Sequence, residues 1–210
     1  MNRSLNLVLD LSFAGFAAVV DGADNDLATD WRSPGARYDD VGDWIEGLLR
    51  QAGGAFSELD SIAVGVGPGS FTGIRIAMAF AQGLALPRNL PLYGFNSFAP
   101  LLLSCESKLG DRHIAVIPSN AGRFYASSDL HETGVMAGTE ELLRLANPET
   151  TLIIPARVTQ VEALLTGFSD VHIIEGKVNA TRLAKHARES NFDALRPHYL
   201  QLSAAETKIT

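Results

Sequence analysis

An acid inside an apolar run and a glycine-rich loop are where residue type and spacing suggest chemistry. Asp10 stands between Leu9 and Leu11 in LNLVLDL. At a strand end such a carboxylate can hold a cation beside a nucleotide phosphate, or it can cap a neighbouring turn, and both readings stand. The second place is residues 64–75, VGVGPGSFTGIR, between an apolar strand-like run and an apolar helix-like one. Gly67, Gly69 and Gly73 allow positive φ and exposed amides, and Ser70 or Thr72 can cap the helix that follows. With Pro68 and Phe71 inside it and Arg75 just beyond, the loop is a candidate anion or nucleotide cradle at a helix N-terminus. The pattern alone favours the other reading, a tight strand-to-helix turn whose glycines permit close packing.

Several named chemistries are excluded. A P-loop needs lysine after its last glycine, and Ile74 and Arg75 stand there. The spacing of Gly67, Gly69 and Gly73 is not the dinucleotide fingerprint. Ser70 is not a nucleophile elbow, because positions 68 and 72 hold Pro68 and Thr72. The histidines are His113, His131, His172, His186 and His198, and no two lie three to five residues apart, so no metal site is expected. A lone Cys105 excludes an intrachain disulfide and fits a reducing compartment.

These residues need elements to hold them. Residues 5–11, 13–20 and 27–31 read as strands, and residues 38–51 as an amphipathic helix with Val41, Trp44, Ile45, Leu48 and Leu49 on one face. Strand 61–66 feeds the glycine loop, helix 73–86 follows until Pro87, and strand 91–95 and helix 97–104 close the first half. In that apolar helix, Ile74, Met78, Ala81 and Ala85 suit a sheet, while Ile76, Phe80 and Leu84 remain for a second helix, internal or on another chain. The second half repeats the order: a hairpin over 112–117 and 123–130, helix 139–146 with Thr139 as its cap, strand 151–154, helix 158–165, strand 171–174 and helix 180–188. The expectation is an α/β protein of two related lobes, 1–104 and 105–210.

The chain has 210 residues, 46% of them hydrophobic, and a net charge of −7. That describes a folded protein, and the N-terminal run, interrupted by Asp10, is not expected to be a signal peptide. No apolar stretch is long enough to span a bilayer, so a cytoplasmic location without membrane contact is expected. Residues 1–60 hold 11 acids against 4 arginines. No basic patch for gripping nucleic acid is evident.

The run Gly67 to Ala77, GPGSFTGIRIA, followed by Ala81, Gln82, Gly83, Leu84 and Ala85, closely resembles the signature of the TsaB (YeaZ) family, a glycoprotease-like (peptidase M22-like) branch of the ASKHA superfold. The flanking Asp10, Leu11, Ser12 and the tail RPHYLQ resemble it too. The resemblance implies two actin-like, ribonuclease H-like lobes with mixed sheets. It also implies a non-catalytic scaffold in making N6-threonylcarbamoyladenosine at position 37 of tRNA. Its partners would be a TsaD-like paralogue that holds the metal and active site, and a TsaE-like ATPase, with tRNA reached only through the complex. A homodimer is the other pairing that the resemblance implies, and any nucleotide would sit at the TsaD interface or in the inter-lobe cleft. First-lobe helices build the pairing surface in this family, which assigns Ile76, Phe80, Leu84, Trp44 and Leu48 to it. The TsaD branch carries a His-x-x-x-His metal motif, which this sequence lacks.

Two departures stand out. Relatives carry an Asp-Ala-Arg-type motif where this chain has Ser119, Asn120, Ala121, Gly122 and Arg123, and Gln201 replaces an arginine in the tail. Losing those charges argues against a nucleotide- or tRNA-contacting role for the second lobe and leaves the scaffold intact. The alternatives are an ASKHA-type ATP-binding phosphotransferase or ATPase using Asp10 and the loop, and a metallopeptidase, the latter resting only on the family label.

Overall fold

Strand alternation at β1 (Leu5–Asp10) organises the first half of the molecule. The computed structural model describes residues 4–23, 25–105, 112–119, 122–130, 132, 134–145, 149–156, 158–190 and 192–200. Every residue of β1 is buried, because both faces of its sheet are covered. Leu5, Leu7 and Leu9 face one apolar cluster and Val8 faces another, with Asn6 and Asp10 on the Val8 side by the period of two. Buried Asn6 is satisfied by the Ser61 hydroxyl, which donates to its Oδ1 at 2.6 Å.

The sheet is completed by β2 (Gly15–Asp21) and β3 (Asp26–Arg32), both antiparallel to their neighbours, then β4 (Leu59–Gly65) and β5 (Leu92–Phe95), both parallel. The order is β3-β2-β1-β4-β5. A second sheet of β6 (His113–Pro118), β7 (Arg123–Ser127), β8 (Val135–Gly138), β9 (Thr151–Ile154) and β10 (Asp170–Ile173) has the order β10-β9-β6-β7-β8. With β6 in the place of β1, this is the same topology, with the same antiparallel and parallel pairings. The expected doubling of an α/β, actin-like architecture is thus present strand by strand.

Helices α1 (Val41–Gln51) and α2 (Phe71–Ala85) cover the outer face of the first sheet. Its inner face meets α3 (Ala99–Leu102) and α6 (Ala180–Glu189), which share a cluster with Ala115, Ile117, Tyr125 and Ile153 of the second sheet. The outer face of the second sheet packs with α4 (Thr139–Leu145) and α5 (Glu162–Leu165). Burying each Leu, Ile or Phe here stabilises by about 1.5–3 kcal/mol, so the shared central cluster holds both sheets together. The last helix, α6, packs across the first sheet although it follows the second in sequence.

Local details differ from the sequence expectation for physical reasons. Helix α1 starts at Val41 rather than residue 38, since Asp40 lies in a non-helical conformation, gripped by Arg32 through two hydrogen bonds of 2.6 and 2.9 Å. Helix α2 begins at Phe71, two residues early, because Ser70 is the cap. The helix expected over 97–104 is a single α-helical turn. Asn96 Oδ1 accepts the amides of Phe98 and Ala99 and starts it there. Thr139 is the first residue of α4 rather than its cap. Strand β8 was not foreseen: four residues ending in glycine have no alternation of their own, and pairing with β7 makes them a strand.

Candidate functional site: the glycine loop, the Asp10 cleft and the outer face of α2

The glycine loop is pinned on three sides. Val66 donates its amide to Phe95 O and accepts that of His198 at 2.7 Å, Gly67 O accepts Ser97 N at 2.9 Å, and Ser70 N reaches Ser12 O. The Ser70 hydroxyl accepts Gly73 N at 3.2 Å, the N-cap bond expected from the sequence. Gly67 and Gly69 have φ of +104° and +153°. The face from which a Cβ would project is taken at each glycine. His198 O would lie 2.6 Å from a Cβ on Gly67, Ser12 O 2.4 Å from one on Gly69, and Leu11 O 1.9 Å from one on Gly73. These glycines therefore let backbone pack on backbone, and the carbonyl oxygens turned towards them would meet a phosphate with like partial charge. Pro68 is buried, whereas Ser70 and Thr72 are exposed.

At the helix start, the exposed Arg75 guanidinium lies 3.7 Å over the Phe71 ring, and its Nε donates to Tyr199 Oη at 3.1 Å. The tail residues His198 and Tyr199, part of the RPHYLQ run, thus clamp the loop and the first turn of α2. Nothing local in sequence announces a contact across more than 120 positions.

Asp10 ends β1 with 5% exposure. Its Oδ1 accepts Ser12 N at 2.8 Å, and Gly65 leaves room for the carboxyl, which would lie within 2.8 Å of a Cβ there. The turn-capping reading of this carboxylate is therefore realised. Burial pushes the carboxyl up to about 6, against the opposing pull of hydrogen bonds from Ser12 and a contact with Ser97. Tyr38, itself pushed up to about 12 by burial and then by the charge of Asp10, is neutral. No Lys, Arg or His pairs with Asp10 among the described residues.

Around Asp10 lies a half-open cleft of about 30 Å³, lined from the first half by Ser12, Phe13, Phe16, Trp31 and Ser97 and from the second by Ile117 and Pro155. A nucleoside triphosphate does not fit these residues: the space is small, the carboxylate repels phosphate, and the glycine loop is filled by carbonyls. The sequence did not point to Ser97 or Trp31, which come from the turn after β5 and from β3 respectively. Among the described residues, no group of three His, Cys, Asp or Glu side chains is placed to hold a metal ion.

The outer face of α2 is apolar and part-exposed. Ile74, Ala77, Met78, Ala81 and Ala85 are buried against the sheet, and Ile76, Phe80 and Leu84 are half-buried beside them. Phe80 meets Phe56 edge-on at 6.2 Å. Ala79 and Gly83 are exposed, and Leu86 is 70% exposed. Trp44 and Leu48, grouped with this surface at the sequence level, lie instead in the core. They are 8% and 2% exposed, because α1 turns its one apolar stripe to the sheet. Trp44 Nε1 donates to Asp30 Oδ2 at 2.6 Å. Asn120, Ala121 and Gln201 lie outside the described residues.

The family model for TsaD, tRNA N6-adenosine threonylcarbamoyltransferase, matches residues 39–132. The chain is 34% identical over 119 residues to the tRNA threonylcarbamoyladenosine biosynthesis protein TsaB of Escherichia coli, covering 56% of this chain and 50% of that protein. It is 30% identical over 89 residues to the TsaB of Haemophilus influenzae, covering 42% of this chain and 38% of that one. The structure of YeaZ from Pseudomonas aeruginosa superposes with a TM-score of 0.71 at 23% identity, over 94% of this chain and 100% of that one. In sequence the chain is similar to TsaB proteins, and in fold to YeaZ. The chain spans about half the length of the curated relatives it matches, or less. The TsaD match takes in the glycine loop and α2.

Proposed function

We propose that this chain is a non-catalytic, TsaB-like subunit that supports formation of N6-threonylcarbamoyladenosine at position 37 of tRNA by pairing with a TsaD-like protein. The observation that carries the reading is the outer face of α2. Ile76, Ala79, Phe80, Gly83 and Leu84 form an apolar row on a helix whose sole charged residue is Arg75. An apolar helix face with small residues at its crest suits close packing against another helix. The catalytic metal chemistry is assigned to the partner, and a TsaE-like ATPase would join the pair. Asp10 and the glycine loop serve here as packing and cleft elements rather than as phosphotransfer machinery.

The test is co-purification with the cognate TsaD-like protein and synthesis of the modified nucleoside with and without this chain. Replacing Ala79, which is exposed, tests the surface directly. Ala79→Arg is expected to leave the thermal midpoint within about 2 °C and to abolish pairing and chain-dependent synthesis. Full pairing by the Ala79→Arg variant would move the interface elsewhere, and synthesis independent of the chain would remove the reading.

A further inference from the structure

The cleft beside Asp10 contains more unsatisfied polarity than packing explains. Ser97 is 3% exposed, and its hydroxyl has no hydrogen-bond partner among the described residues, although it lies close enough to the carboxyl to favour its charged form. The buried indole Nε1 of Trp31, another lining residue, is also without a partner. Native proteins leave few such groups unpaired, since each costs about 1–3 kcal/mol in the folded state. Asp10 adds a buried carboxylate with no cation against it among the described residues. Apolar walls include Phe13, Phe16, Pro100, Leu101, Ile117 and Val178.

These groups define a ligand by what they lack. A carboxylate among aromatic rings lacks a cation, and rings such as Phe13 and Phe16 also stabilise one through their faces. A lone indole N–H lacks an acceptor, and a serine hydroxyl takes either role. A second anionic group on the ligand would be repelled by Asp10, so the acceptor must be neutral. The cleft volume of about 30 Å³ admits only a molecule of a few heavy atoms. We propose that this cleft binds a small primary-amine cation bearing a hydroxyl group, with the ammonium at Asp10 and Ser97 and the hydroxyl at the indole N–H of Trp31. The site joins the two halves of the chain, lies away from the α2 face, and stands or falls independently of the pairing proposed above.

Ethanolamine is the probe, read by the indole N–H signals of the two tryptophans in a ¹⁵N-labelled sample. Trp44 Nε1 is already bonded to Asp30 and serves as the internal reference. At about pH 7.5 the Trp31 signal is expected to move saturably with a Kd on the order of 1–10 mM, while that of Trp44 stays. Asp10→Asn should weaken binding at least about tenfold, and Ser97→Ala about threefold. Tyr38 is the titratable group that feels Asp10 from the neighbouring elements, and it stays neutral in this range. Affinity should therefore fall roughly tenfold on going to about pH 5, as the Asp10 carboxyl takes up its proton. n-Propanol, in which a methyl group replaces the ammonium, should give no saturable shift. The proposal is overturned by an equal response to n-propanol, by unchanged ethanolamine binding in both variants, or by no movement of the Trp31 signal.

Discussion

Asp10 weakens the chain that carries it, and the sign follows from its titration. The unfolded carboxyl titrates near 3.8, and burial holds the folded one at about 6. Below the lower value both states are protonated and nothing is lost. Between them the unfolded chain releases a proton that the folded chain keeps, so stability falls as pH rises through this window and is lowest above about 6. At about 1.4 kcal/mol per pH unit, the loss is on the order of 3 kcal/mol. Asp10→Asn retains an acceptor for Ser12 N. In urea unfolding it should match the parent near pH 4 and exceed it by about 2–3 kcal/mol near pH 7.5. Equal stability at both pH values would mean that the carboxylate is solvated. Glycines give a second contrast. A Cβ at Gly73 would strike Leu11 O, whereas one at Gly83 meets nothing within 4 Å. Gly73→Ala is expected to destabilise by roughly 3 kcal/mol or more, and Gly83→Ala to stabilise the isolated chain by about 0.5–1 kcal/mol, both read by thermal unfolding. On the proposed pairing face, the same Gly83→Ala methyl would hold a partner helix away.

Elements far apart in sequence share the work around α2. Its N-terminal turn is capped from within by Ser70, and from outside by the C-terminal strap of residues 192–200. Gly94 makes room for Phe192 and Ala194, Gly67 for His198, and Tyr199 stacks with Phe71 at a centroid distance of 4.9 Å. Burial lowers the His198 titration from its usual value, so the imidazole in this strap is neutral at physiological pH. Gly67→Ala combines strain at φ +104° with a clash on His198 O. It should loosen the strap before it unfolds the sheet, which limited proteolysis would report as faster cleavage within 190–200. Unchanged cleavage would show that the strap is held by its rings alone. Helix α6, just before this strap, presses Leu183, Ala184 and Ala187 into the central cluster, so it closes the inner face of the first sheet.

At the scale of the whole molecule, two sheets of one topology face each other across a shared core, and the acidic surplus sits on the first of them. With −7 overall and no evident basic patch to displace counter-ions from phosphates, the isolated chain should give no retained tRNA in filter binding at about 0.15 M salt. Retention would overturn the indirect role proposed for it. Much of this architecture was legible in the sequence because it depends on local periodicity. The alternation of β1, the apolar stripe of α1 and the strand–glycine–helix order around residues 59–85 are short-range patterns, and the topology follows from their sequence. The glycine loop and the outward Ile76, Phe80 and Leu84 were readable for the same reason. Tertiary packing decided the rest. Trp44 and Leu48 point inward because a sheet lies beneath their stripe, and β8 exists because β7 offers it an edge. The loop is a packing device because Leu11, Ser12 and His198 fill its glycines. Asp10 gains its cleft only where β3, the turn after β5 and the second sheet converge, at sequence separations over which no local pattern carries information.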